Sequence, residues 1–290
     1  MLVLLVRHAE SENNIVQAGV HAKLQSRQLN PIQAQEAWLE NRYEDPGLSV
    51  NGLKQAAKLK RHIKQVSKMG VKKFVLFCSP MSRACQTANV LSQTLGQSVE
   101  VKPELCEVGG IYRAEKQMRH GMVPVVVKVA GAAKTAQDIK RDFPSFDVSK
   151  LQPQGPWDSG RGFEETDTAL ARAREVAAWM RSVELQHKVG EDGCLVLVSH
   201  ADFLALLISS LLGQTPTSTR SNPDSEVSVH GVSESGLNAE IGGQSVETVY
   251  TKYRISLAST CFLTLTADLA PEFQWMNNKE HLRDGGCQCA

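Results

Sequence analysis

Residues 2–11, Leu2-Val3-Leu4-Leu5-Val6-Arg7-His8-Ala9-Glu10-Ser11, run through five aliphatic side chains and then turn polar without a break. Five unalternating apolar residues are about the length of a strand buried on both faces, as in the interior of a parallel sheet. The same transition recurs twice. Lys73–Phe77 leads into Ser79-Pro80-Met81-Ser82-Arg83, and Cys194–Val198 leads into Ser199-His200-Ala201-Asp202. Helical spacing follows both: Ala84, Ala88, Leu91 and Leu95 before Gly96, and Phe203, Leu206, Leu207 and Leu211 before Gly213. A further helix is expected from about Asn51 to Gly70, with Ser49 as N-cap and Leu53, Ala56, Ala57, Ile63 and Val66 inward. Another is expected over Asp167–Leu185, with Leu170, Ala173, Ala177 and Met180 on one face. Strands alternating with helices predict an α/β fold, a three-layer α/β/α sandwich around a mostly parallel central sheet.

The remainder of the 290 residues fits around that frame as a single domain, 1–290. At roughly 150 residues per domain two units would be possible, but α/β enzymes commonly use this length for one elaborated domain. An insertion at about 112–162, with a β-prone run Val123–Val129, is expected to form a lid over the sheet edge. The polar stretch at about 214–248, which includes His230, reads as a mobile surface loop. Tyr253–Thr266 reads as one more strand and the tail from Trp275 as polar. With 42% hydrophobic residues the chain can bury a sizeable core. Its 32 Lys and Arg against 31 Asp and Glu exclude a strong global field for nucleic acid or anionic membrane, so neither is an expected partner. Seven scattered cysteines form no disulfide framework, and the apolar opening is too short for a signal peptide or a membrane span. A reduced, cytoplasmic setting is the expectation; oligomeric state is not readable.

In an open parallel sheet the carboxyl ends of neighbouring strands line the ligand crevice. The three transitions therefore deliver Arg7, His8, Arg83 and His200 to one rim. Guanidinium forks and helix N-termini suit a dianion, and a phosphate group fits that demand.

These residues carry a resemblance. Leu5–Ser11 with Asn14, Ser79–Ala88 and Val198–Ala201 closely resemble the histidine phosphatase superfamily, phosphoglycerate mutase-like branch. Pro46–Ser49 with Gly52, Gln55 and Ala56, and Asn277-Asn278 with His281-Leu282, add to it in family order. Ala9 stands where the family usually has Gly, and the two long insertions are departures. The resemblance implies a phosphoglycerate mutase-like fold and no metal or cofactor. It implies a nucleophilic, neutral His8 that forms a phosphohistidine. Arg7, Arg83 and His200 would hold the equatorial oxygens, with Ser11 and Asn14 contacting or orienting the phosphate. The general acid of the family follows the next strand, at Leu105-Cys106-Glu107-Val108-Gly109-Gly110; Glu107, just before a Gly-containing turn, is preferred to Glu104.

The same residues offer rival readings. Glu10 and Asp202, each two residues after a histidine, suggest a two-metal hydrolase, but Arg7 and Arg83 would oppose a divalent cation, and Glu10 suits a helix start better. Cys78 and Arg83 suggest a cysteine phosphatase, but the loop between them is a residue short and poor in glycine, so Cys78 is read as sheet packing. Arg119-His120-Gly121 is read as solvated, with substrate contact the alternative. Cys287 and Cys289 are read as part of a frayed tail rather than a lipid anchor. The leading function is a metal-independent phosphomonoesterase acting on a phosphorylated small molecule or phosphoprotein. A cofactor-dependent phosphoglycerate mutase and a phosphate-binding scaffold are the alternatives. The family's mutases usually follow the acid with Arg-His-Tyr-Gly, where this chain has Val108-Gly109-Gly110-Ile111.

Overall fold

In the computed structural model, the described residues are 1–119, 123–160, 162–214, 253, 255–266 and 270–282. The polar stretch after Gln214, His230, His120 with Gly121, and the tail bearing Cys287 and Cys289 lie outside them. The three aliphatic runs are strands β1 (Leu2–Arg7), β2 (Lys73–Cys78) and, after four intervening strands, β7 (Gly193–Ser199). With β3 (Val99–Val101), β6 (Phe146–Asp147), β8 (Thr260–Thr264) and β9 (Glu272–Asn278) they form one sheet in the order β6-β3-β2-β7-β1-β8-β9. The first five of these run parallel, while β8 is antiparallel to β1 and β9 to β8.

Side chains alternate across the sheet, and each face collects its own helices. Val3, Leu5, Val75, Phe77, Leu195 and Leu197 face α6 (Thr166–Met180), α7 (Val183–Val189) and α8 (Ala201–Leu211). Leu4, Val6, Phe74, Leu76, Val196 and Val198 face α3 (Val50–Ser67), α4 (Ser82–Leu95) and α5 (Ala136–Asp142). This is the three-layer sandwich that the strand and helix spacing predicts. Each fully buried Leu, Ile, Val or Phe in it contributes on the order of 1.5–3 kcal/mol.

Several elements differ from expectation. In α3 the buried face is Ala56, Leu59, Ile63 and Val66, whereas Leu53 is 53% exposed, because the stripe that meets the sheet starts at Gly52. The single helix expected over Asp167–Leu185 is two. Ser182 leaves the helical conformation at ψ 144 and its side chain accepts the Leu185 N–H, starting α7. The Trp275 tail is the edge strand β9, with the Trp275 ring stacked on Phe262 at 4.6 Å. The sequence between β1 and α3 holds two further helices, α1 (Glu12–Gln25) and α2 (Pro31–Asn41). Within 112–162, β4 (Tyr112–Arg119) and β5 (Val123–Ala130) form a separate antiparallel hairpin, while β6 joins the main sheet beside β3. Among the described residues no helix is long and apolar enough to cross a membrane.

Candidate active site

Register places the site. Arg7 pairs with Ser199 and Cys78 with Val198, so β1, β7 and β2 end level. The ladder runs one step further, with the His8 N–H donating to Ser199 O at 2.9 Å and the Ser79 N–H to Val198 O at 3.0 Å. His8, Ser79 and His200 thereby emerge side by side at the rim. The His8 and His200 rings lie 5.1 Å apart between centroids.

His8 is 1% exposed, and its Nδ1 is 2.7 Å from Ala9 O. A carbonyl only accepts, so that nitrogen carries the proton and Nε2 keeps its lone pair. The Arg83 Nε–H donates to this Nε2 at 3.1 Å. Burial, then the charges of Arg83 and Arg7, push the His8 pKa well below its ordinary 6.5, against a raising effect of the Ala9 carbonyl. His200, fully buried, has Nε2 2.8 Å from Ser79 Oγ. Its pKa is also pushed well down, by burial first and then by Arg83, His8, Arg7 and Arg172. Arg7 donates through Nη1 to Ile255 O at 3.0 Å.

Neutral buried rings have a thermodynamic consequence. As pH falls below about 6.5, histidines in the unfolded chain take up protons that the native rings refuse, so the folded state loses stability on acidification. The slope is at most about 1.4 kcal/mol per pH unit for each ring. Urea unfolding followed from pH 7.5 down to 5.5 should show the loss, and His8→Asn should flatten it by roughly one proton. A variant slope equal to the wild-type slope would contradict the neutral His8.

The loop after His8 is held from outside. Glu10 reaches not its own helix but the start of α3, accepting from Ser49 Oγ at 2.6 Å and Asn51 Nδ2 at 3.2 Å. Gly52 is obligatory there, since a Cβ would lie 1.9 Å from Glu10 O. Ala9 is accommodated, packed with Leu48, Ala56 and Ala258. Ser11 and Asn14 are buried at the start of α1, where both the N–H and the hydroxyl of Ser11 donate to Asn14 Oδ1. Asp45, which sequence reasoning missed, accepts from the N–H and hydroxyl of Ser82 and caps the helix carrying Arg83. Its separation from Ser82 leaves no local signal for that role.

Glu107 is brought to the same rim. It is 3% exposed, and its Oε1 accepts the N–H groups of Val108 and Phe203, each at 3.0 Å. Phe203 lies in the first turn of α8, directly after His200. Glu104 goes elsewhere: its carboxylate is 3.3 Å from Lys102 Nζ and 44% exposed. Beyond Glu107 the chain turns through Gly109 at φ +90, where a Cβ would meet the Phe163 ring at 3.0 Å. Phe163 and Tyr112 form an edge-to-face pair, with Lys128 3.8 Å above the first ring and Arg42 3.9 Å above the second. The hairpin is thus seated on the Glu107 loop by residues whose spacing shows no pattern.

The rival constellations fare differently. Burial pushes the Cys78 thiol well above its ordinary pKa, which suits sheet packing and not a thiolate nucleophile. Among the described residues no three His, Cys, Asp or Glu side chains are grouped to hold a metal ion. Asp202 is buried in the first turn of α8.

Residues 3–119, which include His8, Arg83 and Glu107, match the family model of the histidine phosphatase superfamily, branch 1. The matched part is therefore similar to that superfamily over the segment that carries these three side chains. Solved structures similar in fold include the α-ribazole phosphatase from Shigella flexneri, 16% identical over 96% of both chains at a TM-score of 0.50. A structure described as mycobacterial hydrolase 1 is 17% identical over 96% of this chain and 98% of its own, also at 0.50. Identities this low speak for the fold. Among curated proteins none matches the chain significantly.

Proposed function

We propose that this chain is a metal-independent phosphomonoesterase of the histidine phosphatase superfamily, working through a phosphohistidine on His8. The observation that carries the reading is the state of His8: a buried, neutral ring with its Nε2 lone pair directed at the Arg83 guanidinium. A phosphate docked on Arg7, Arg83 and His200 would exchange that hydrogen bond for one to its own oxygen. Nε2 then bonds to phosphorus as the ester P–O bond breaks, and Glu107 supplies the proton to the leaving oxygen. In the second half water attacks phosphorus, Glu107 takes its proton, and the P–N bond breaks to return neutral His8 and free phosphate. Both steps rest on positioning and on charge stabilisation by the arginines, as phosphoryl transfer requires. Ser11 and Asn14 would support the phosphate from the start of α1.

The test is phosphate release from 3-phosphoglycerate, 2,3-bisphosphoglycerate, sugar phosphates, phosphopeptides and p-nitrophenyl phosphate, with EDTA throughout. Release from any of them with EDTA present supports the reading. Conversion of 3- to 2-phosphoglycerate without release would give the site to a mutase, and phosphate binding without either reaction would make it a scaffold.

A further inference from the structure

The acid loop is anchored by a buried cation that takes no direct part in the chemistry. Arg172, on α6, is 8% exposed. Its Nη1 donates to two carbonyls that bracket the approach to Glu107, Glu104 O at 2.7 Å and Cys106 O at 2.9 Å. Its other edge forms a bidentate pair with Glu164, Nε to Oε1 at 2.9 Å and Nη2 to Oε2. Glu164 is itself tied to the far side of the loop, its N–H donating to Gly109 O at 3.2 Å. The guanidinium lies 4.3 Å over the ring of Phe203, whose N–H holds Glu107 Oε1. One side chain therefore meets the residues before Glu107, the residue paired to the turn after it, and the donor that grips its carboxylate.

A buried ion pair that only stabilised the fold would have no reason to meet both sides of the Glu107 loop and the residue that donates to its carboxylate. Such pairs are weak contributors to stability, because desolvation offsets most of the Coulomb attraction. A rigid planar fork is, by contrast, well suited to holding backbone oxygens at fixed positions. We propose that Arg172 is a positioning residue, fixing the Glu107 carboxyl group in line with the leaving oxygen. This rests on the reading of Glu107 as the general acid.

The experiment compares an alkyl phosphate, whose alkoxide needs the proton, with p-nitrophenyl phosphate, whose phenolate needs little. Arg172→Met should lower kcat on the alkyl ester by about tenfold or more relative to the aryl ester, with KM for both moving less than about threefold. Arg172→Lys, which keeps the charge but not the fork, should fall between it and wild type. An equal loss on both esters, or no loss on either, would overturn the proposal. If Arg172→Met fails to fold, the Lys variant decides: an alkyl-to-aryl ratio equal to that of wild type overturns the proposal, and a reduced ratio upholds it. Glu107→Gln in parallel separates the two readings. If Glu107→Gln spares the alkyl ester, the acid assignment fails and the Arg172 role falls with it. If Glu107→Gln is selective and the Arg172 variants are not, only the Arg172 role fails. Absence of phosphate release from the wild-type protein would overturn both.

Discussion

His8→Ala is expected to reduce phosphate release by roughly 10⁴-fold or more, because removing the nucleophile of a covalent mechanism removes the route and not one contribution to it. The fold should survive. The imidazole makes two hydrogen bonds at the strand end, to Ala9 O and from Arg83 Nε, and the strand itself is held by β7 and β8 on either side. Leaving the Arg83 Nε–H without its acceptor costs about 1–3 kcal/mol, enough to lower the melting temperature but not to unfold a domain of this size. Phosphate affinity should persist through Arg7, Arg83 and His200, and is measurable as a thermal shift on phosphate addition. Acid-quenched reactions with labelled substrate should trap phosphate on the wild-type chain and none on the variant. A His8→Ala protein that turns over at the wild-type rate would end the mechanism.

Glu107→Gln should produce the second largest effect, and a selective one. The N–H groups of Val108 and Phe203 both point at Oε1, so a glutamine will be held with its carbonyl oxygen there and its amide nitrogen where Oε2 stood. Shape and anchoring are retained while the transferable proton is lost. Alkyl phosphates should then be cleaved roughly 10²–10⁴-fold more slowly, the range typical for general acid catalysis, and p-nitrophenyl phosphate within about tenfold of wild type. Steady-state kcat on the two ester classes checks it. Equal losses on both would move the acid elsewhere, and Glu104, turned to Lys102, would be the next to test.

What could be read in advance divides along physical lines. The strands bearing Arg7 and His8, Ser79 and His200 were legible because strands buried on both faces must be unbroken apolar runs, and a polar residue directly after one marks the rim. The helices α1 and α2 were not, because the buried face of α1 is mostly amide, Asn13, Asn14 and Gln17 with Val20, and that of α2 is only Ala34 and Trp38, so neither shows a long apolar stripe. Edge strand β9 hid because Glu272–Asn278 mixes the apolar Phe273, Trp275 and Met276 with polar residues at a partly exposed edge, and only pairing with β8 makes it a strand. The rim residues emerged from their own local sequence, whereas their supports did not. Asp45 under the Arg83 helix and Arg172 under the acid loop act across long separations, and a charged residue on a helix reads as solvated until its partners are known.

Strand β7 lies between β1 and β2, the two strands whose ends present His8 and Arg83, yet it comes after both in the chain. During synthesis, a ribosome that has reached Asp192 has made both flanking strands and neither of the sheet neighbours of β1, since β8 comes later still. The nascent protein must carry unpaired apolar strand edges over most of its translation, a state that invites mispairing and chaperone capture. The pairings that close the sheet are among the most distant in sequence, which slows folding. Any catalytic competence therefore arrives late and all at once, when the central strand slots into place.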